Sequence, residues 1–257
     1  MKEISHKGLA ELVGTFGSLQ MKPIIINILI SASVEPDQID RKRFSENFSY
    51  GIIWLINHTI KAKDLAIKYL RKAHNAFMMN NESWIRYLGI AFHFIADWGT
   101  PHHSPTSVSN PVLKITKAGV KLGGIIGYRS GSSKKLFDKI KRILKGIIIV
   151  GGIAGGIGII ILYLSHKYFE IRCDERWEEN LRLIKEYFIA KREEMQLPTQ
   201  LELAFDHFEE KMNILHKNSE ILPVNWIDSC NNREYAEYMS NIAIIMELAC
   251  QIVTMNN

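Results

Sequence analysis

Apolar residues recur at intervals of three and four along most of the chain, and this spacing constrains the fold more than any other feature of the sequence. Residues 52–80 and 83–97 show it most clearly, and Gly99 and Pro101 mark the end of the second segment. Residues 9–19, 165–191 and 233–255 are also predicted to be helical. Residues 24–30 form an apolar run, and residues 33–37, which include Pro36, are predicted to form a turn after it. No long strand-like alternation is present, so the sequence predicts an all-α fold, a single multi-helix domain over residues 1–257.

The composition is that of a globular protein with a buried core, because 47% of the 257 residues are apolar and 23% are charged. The formal net charge of +5 suits either solubility or phosphate-rich partners. Cys173, Cys230 and Cys250 form no CxxC pair, so we expect reduced, buried thiols. No secretory signal is recognisable, which predicts a cytoplasmic protein.

A glycine-rich apolar segment, residues 146–164, interrupts the helical pattern. It carries six glycines and no charge, and its length is near the roughly 20 residues that span a bilayer. A basic cluster at residues 134–145 precedes it, as expected for contact with an anionic lipid surface. The sequence therefore predicts an insertion at about 107–164 and a peripheral or membrane-associated location. A buried hairpin or a glycine-loosened core helix is the alternative.

His93 and Asp97 lie four residues apart in the otherwise apolar stretch 87–97, so both side chains project from one face of a helix. Imidazole nitrogen and carboxylate oxygen are ligands that zinc accepts. An isolated carboxylate would be costly to bury in such a segment, which favours a bound cation as its partner. Two more histidines, His102 and His103, follow in the next turn.

His166 and Glu170 repeat the four-residue spacing on a second predicted helix. Helical bundles build multinuclear metal sites from pairs of this kind on facing helices. The sequence therefore predicts a site for two or three zinc ions in the helical core. His207 and His216 lie in a charged helical segment and are expected to be exposed to solvent.

The segment YLGIAFHFIADWGTPHH, residues 87–103, closely resembles the HxxxDxxxPxH motif of the zinc-dependent phospholipase C family. The motif positions are taken in register by His93, Asp97, Pro101 and His103. The later segment HKYFE, from His166 to Glu170, resembles the HxxxE element of that family. Related single-strand-specific nucleases share the fold and three zinc ions but usually end this element with aspartate. Glu170 therefore favours the phospholipase branch.

The resemblance implies three zinc ions. The first would be held by Asp37, His58, His93 and Asp97. The second would be held by His103, His166 and Glu170. The third would be held by His6, by Asp97 as a bridge, and by the amino terminus of the chain. Asp40 is the alternative to Asp37, and His74 is the alternative to His58.

Two features depart from the secreted members of the family. Those proteins begin with a tryptophan whose amino group and carbonyl bind zinc, whereas this chain begins with Met1. The third site therefore either uses Met1 or is altered or empty. The interval between His103 and His166 is also longer than in the compact enzymes, and it contains the insertion.

The resemblance implies hydrolysis of a phosphodiester by zinc-activated water, with Asp37 as proton acceptor. Glu170 and the apolar insertion favour a phospholipid substrate at a membrane surface. A single-strand nuclease is the alternative within the enzyme class, although the chain has no clear basic and aromatic pattern for stacking nucleic-acid bases. A non-catalytic, membrane-associated protein with structural zinc is the alternative from a different class.

Overall fold

The computed structural model describes residues 3–39, 58, 61–100, 171–222 and 226–256. Every regular element in these ranges is a helix, which confirms the predicted all-α fold. The helices are α1 (Glu3–Phe16), α2 (Pro23–Ala32), α3 (Ala62–Met78), α4 (Ser83–Gly99), α5 (171–193), α6 (Leu201–Glu220), α7 (Trp226–Ser229) and α8 (Asn232–Val253). Their buried apolar side chains form one continuous hydrophobic core.

The central helix of this core is α8, which packs against α1, α3, α4 and α6. It begins at a capping box, in which the Asn231 side chain accepts from the Glu234 backbone N–H and the Glu234 side chain accepts from the Asn231 N–H. Among the described helices, α8 alone is long and apolar enough to cross a membrane, with a mean hydropathy of 1.2. Since 78% of the most apolar stretch of this helix is buried inside the protein, its apolar side chains pack in the hydrophobic core.

The histidine–aspartate pair lies on α4, which is buried along most of its length. At Gly89 this helix approaches α2 so closely that an added Cβ atom would lie 2.5 Å from Ala32 Cβ and 2.7 Å from the Leu29 carbonyl oxygen. A residue without a side chain is therefore required at this crossing. The close approach brings the end of α2, and Ser33 after it, against the face of α4 that carries His93.

The predicted helical segments overlap the observed helices, but three boundaries differ. Helix α1 covers residues 3–16 rather than 9–19, and Lys61, inside the predicted segment 52–80, is not helical. The expected turn at residues 33–37 is confined to residues 33–34. Residues 35–39 are helical, and the Gln38 N–H donates to the Val34 carbonyl at 3.2 Å. Pro36 is compatible with this helix because it lies in the first turn, where its missing N–H needs no partner. The prediction overestimated the power of this proline to break a helix.

The insertion at 107–164, including the basic cluster and the apolar segment 146–164, lies outside the described residues. Its membrane contact and the single-domain boundaries therefore stay predictions. The cysteines all fall in the described ranges. They are buried and none forms a disulfide, as expected.

Candidate metal centre

Five of the eight predicted ligands lie among the described residues, and the fold brings them together in the core. They are His6 from α1, Asp37 from the helical residues 35–39, His58, and His93 and Asp97 from α4. Each is buried, with an exposed fraction between 0% and 8%. Their ligand atoms form two groups that share His93, and the atoms of each group lie within 4.8 Å of one another. The groups are His6–Asp37–His93 and His58–His93–Asp97.

The orientation of His93 is set by a backbone carbonyl. Its Nδ1 lies 3.1 Å from the Ser33 carbonyl oxygen, and a carbonyl only accepts, so Nδ1 carries the proton. The other nitrogen, Nε2, faces the cluster, 3.2 Å from His58 Nδ1 and 3.2 Å from Asp97 Oδ2. Asp37 Oδ1 lies 3.8 Å away. In the neutral ring, Nε2 therefore presents its lone pair to the centre, as a metal ligand must.

The two oxygens of Asp97 face different histidines. Oδ2 lies 2.5 Å from His58 Nδ1 and 3.2 Å from His93 Nε2. Oδ1 lies on the side of His6, 3.8 Å from its Nε2. A carboxylate with this placement can contact two cations at once, which is the bridging role that the resemblance implies for Asp97.

Ring contacts hold the imidazoles in place. The rings of His6 and His93 are stacked, with centroids 4.6 Å apart and planes inclined by 21°. Phe94 packs edge-on against His93 at 5.2 Å and also contacts His58 at 5.8 Å. Behind Phe94, the ring of Tyr69 stacks at 6.1 Å. The aromatic packing limits rotation of the three histidines and excludes water from this side of the cluster.

The donor chemistry of the cluster suits a cation. Two carboxylates and three imidazoles are gathered in a region of low dielectric, where an uncompensated carboxylate charge is costly. Protons can compensate it in part, as the 2.5 Å contact between His58 Nδ1 and Asp97 Oδ2 indicates. Mixed nitrogen and oxygen donors are ligands of divalent first-row metals. The buried cluster can therefore hold a metal ion.

Three of the predicted ligands lie outside the described residues: His103, His166 and Glu170. The alternative Asp40 lies outside them as well. Of the two candidates for the remaining histidine, His58 is in the cluster, whereas His74 is directed to α8, where its Nδ1 lies 3.2 Å from the Ile252 carbonyl oxygen. Sequence position favoured His58, and the geometry agrees with that choice.

The end of α4 is held by residues that sequence reasoning assigned to the surface or did not consider. His216 was expected to be exposed, but its side chain is only 12% exposed. Its ring stacks on Trp98 at 3.8 Å, and its Nδ1 donates to the Trp98 carbonyl at 3.2 Å. Burial lowers the pKa of His216, while this hydrogen bond and the charge of Glu220 oppose the shift. The available sequence signal was position on the helix, since Met212 and Ser219, four residues before and three after His216, lie on the same buried face.

A second donor acts one residue further along α4. The Tyr238 hydroxyl donates to the Gly99 carbonyl, and the Thr100 hydroxyl donates to the Asp97 carbonyl at 2.8 Å. Carbonyls in the last turn of a helix lack partners within the helix. Tyr238 supplies a donor for the Gly99 carbonyl, and the Thr100 hydroxyl adds a second donor at the Asp97 carbonyl, which also accepts from the Thr100 N–H at 3.1 Å. They also hold the backbone of Asp97 in the position from which its carboxylate reaches the cluster.

No protein-family model matches the chain, and no curated protein or solved structure gives a significant match. The interpretation of the cluster therefore depends on its own geometry and donor chemistry, together with the motif at residues 93–103. The geometry brings together five of the eight residues that the resemblance implies as ligands, and two of these five, His93 and Asp97, belong to the motif itself. The chemistry of those side chains is consequently the starting point for a function.

Proposed function

We propose that the chain is a zinc-dependent phosphoric diester hydrolase of the phospholipase C type, with a phospholipid as substrate. One observation carries the proposal: side chains from four separate parts of the chain meet at one buried point. They are His6, Asp37, His58, His93 and Asp97. The motif resemblance assigns these same residues to zinc, although it was recognised only from residues 87–103 and 166–170.

The distances among the ligand atoms support zinc as the metal. Zinc binds nitrogen and oxygen at about 2.0–2.2 Å in a tetrahedron, which separates neighbouring ligand atoms by roughly 3.3–3.6 Å. His93 Nε2 lies 3.2 Å from both His58 Nδ1 and Asp97 Oδ2, close to that spacing. His58 Nδ1 and Asp97 Oδ2 are 2.5 Å apart, so these two side chains would have to separate by about 1 Å to admit the ion. The resemblance implies Asp37 as the fourth ligand, and its Oδ1 lies 3.8 Å from His93 Nε2 and 4.0 Å from His58 Nδ1. His6 and Asp97 Oδ1 would contribute to a neighbouring ion.

The two aspartates suit different tasks because their exposure differs. The side chain of Asp97 is 2% exposed, whereas that of Asp37 is 11% exposed. Water can therefore reach a carboxylate oxygen of Asp37 more readily, and we assign it the role of accepting the proton from the attacking water. When bound, zinc ions would polarise the phosphoryl oxygens and lower the pKa of a coordinated water. Asp97 and the histidines would keep their positions throughout.

The choice of a phospholipid depends on sequence features outside the described residues. Glu170 matches the phospholipase form of the second element, and the apolar segment 146–164 would suit contact with a lipid surface. Single-stranded nucleic acid is the competing substrate, and it has the same phosphodiester chemistry. The experiment must therefore present both substrates to the same preparation.

The test combines zinc content, measured by elemental analysis, with hydrolysis of bis(p-nitrophenyl) phosphate. Wild-type protein should hold roughly two or three zinc ions and lose its activity to a chelator. His93→Ala should hold less zinc, and its rate should fall by at least about 10²–10³-fold, the typical cost of one stabilising group in an active site. His207→Ala is the matched control, because His207 belongs to neither ligand group.

Substrate assays then separate the remaining alternatives. Faster hydrolysis of a short-chain phosphatidylcholine than of a single-stranded oligonucleotide supports the lipid assignment, and the reverse supports a nuclease. Wild-type protein that holds zinc but hydrolyses no phosphodiester would assign the metal a structural role. Less than one zinc per chain, with no change in His93→Ala, would disprove the proposed function.

A further inference from the structure

A buried carboxylate on α5 ties down the beginning of α1. Asp174 is 8% exposed, and its Oδ1 accepts two hydrogen bonds from Ser5, a residue 169 positions earlier in the chain. The Ser5 backbone N–H donates at 3.1 Å and the Ser5 hydroxyl donates at 2.7 Å. Ser5 itself is completely buried. The next residue is His6, a predicted zinc ligand that also belongs to one of the two ligand groups.

Helix physics explains why a carboxylate stabilises this position. Ser5 lies in the first turn of α1, whose N–H groups have no partner within the helix. A negative charge near a helix N-terminus also interacts favourably with the helix dipole. Asp174 satisfies one of these N–H groups and places its charge there. It thereby fixes the start of α1 against α5.

A second contact prevents α1 from turning about this attachment. At Gly8, three residues after Ser5, an added Cβ atom would lie 2.3 Å from the ring of Trp177, three residues after Asp174. The backbone of α1 therefore rests directly on that indole ring. The Ser5–Asp174 and Gly8–Trp177 contacts are separated by three residues on both helices. Together they fix the position of α1 along α5 and the rotation of α1 about its own axis.

The rotation of α1 decides where His6 points. Successive residues of an α-helix are about 100° apart around the helix axis. With Ser5 held against α5, the side chain of His6 therefore projects about 100° away from the contact with α5. On that side, the His6 ring stacks on His93 at 4.6 Å, and its Nε2 lies 3.8 Å from Asp97 Oδ1. A modest rotation of α1 would carry this imidazole away from the cluster.

We infer that Asp174 is a positioning residue for the metal centre, which acts through Ser5 to hold His6 against Asp97. The inference goes beyond the ligand set and rests on the metal-binding part of the proposed function. It assigns a role in metal affinity to Asp174, whose hydrogen bonds to Ser5 lie one residue away from the ligand His6. Loss of Asp174 should therefore weaken the binding of zinc to the site that includes His6.

The test measures zinc affinity by competition with a coloured chelator, using zinc alone as the probe. Asp174→Ala should lower the affinity for one zinc, the same one that His6→Ala loses, by about 10–100-fold, the usual effect of losing a group that orients a ligand. Asp174→Asn keeps an oxygen that can accept from Ser5, so it should restore part of the affinity. Ser5→Ala removes only the hydroxyl donor and should have a smaller effect than Asp174→Ala.

A double-mutant cycle distinguishes positioning of His6 by Asp174 from a general loss of protein stability. In a His6→Ala background, Asp174→Ala should lower thermal stability without any further loss of zinc affinity, because the ligand that it positions is gone. Glu175→Ala is the matched control on the same helix, since Glu175 forms an exposed pair with Arg172. Its zinc affinity should equal that of the wild type.

The possible failures are distinct. Unchanged zinc affinity in a folded Asp174→Ala variant would overturn the inference and leave the proposed function standing, as would an affinity in Asp174→Asn no higher than that of Asp174→Ala. An equal loss of affinity with and without His6 would also overturn it, because Asp174 would then act through another group. A wild-type chain that binds no zinc would disprove the proposed function and this inference together.

Discussion

Two regions of the molecule neutralise their carboxylates in different ways. In the buried cluster, Asp97 faces histidines, with His58 Nδ1 at 2.5 Å. Between α5 and α7, Asp228 and Glu175 face Arg172 instead, at 2.9 and 2.5 Å. Hydrogen bonds to these two carboxylates raise the pKa of Arg172, so its guanidinium stays charged.

The difference lies in the basic partner and in the access of water. Arginine brings a permanent positive charge, so the carboxylates paired with Arg172 need no bound ion to compensate their charge. Water also screens these partly exposed charges. An imidazole has no permanent charge, so the carboxylates of the cluster depend on bound protons or on a cation for their compensation. We therefore expect metal removal to lower the stability of the buried cluster and to leave the ion pairs of Arg172 unchanged.

The largest expected effect is that of metal removal on thermal stability. A ligand present at about 1,000 times its Kd stabilises the folded state by about 4 kcal/mol. For a chain of this size, that energy corresponds to a fall in Tm of roughly 8–16 °C when a chelator strips the metal. Calorimetry with and without chelator checks this value. His93→Ala should respond much less, and an equal response in that variant would place the metal outside the cluster.

The arginine pairs should contribute far less. Arg172→Ala removes two partly exposed ion pairs, and we expect it to lower the free energy of unfolding by about 0.2–1 kcal/mol, measured by urea denaturation. Its zinc content should be unchanged. Arg182→Ala is a matched control that removes a more exposed pair with Glu186. A loss of zinc in the Arg172 variant would contradict the contrast between the two regions.

The smallest effect concerns pH. Burial lowers the pKa of His216 in the folded state, so the unfolded chain binds more protons below its ordinary pKa of about 6.5. His216 therefore contributes stability that is present above about pH 6.5 and lost as the pH falls. His216→Phe keeps the stack on Trp98 without a titrating group.

Metal-free protein provides the cleanest comparison, because no bound ion then contributes to the pH dependence. Between pH 7.5 and pH 5.5, the Tm of the wild type should fall more than that of the His216→Phe variant. Equal slopes would show that the charge of Glu220, 3.3 Å from the imidazole, cancels the effect of burial.

Much of the fold was predictable because helical spacing is a local property. Segments such as 83–97 carry their apolar residues at the period of a helix whatever they pack against. The error at residues 33–37 arose where a local signal was ambiguous, since Pro36 suits both a turn and the first turn of a helix. The burial of His216 was not predicted, because its partner Trp98 lies 118 positions away in the sequence.

The sequence by itself determined the helical class, the placement of His93 and Asp97 on one helix face, and the type of ligand that they offer. The tertiary structure decided which distant groups join them. It brought His58 rather than His74 to the cluster and directed the Nδ1–H of His93 to the Ser33 carbonyl oxygen. It also turned the two oxygens of Asp97 toward different histidines. The reason is physical: spacing along a helix follows from backbone geometry, whereas contacts across the core depend on how whole helices pack.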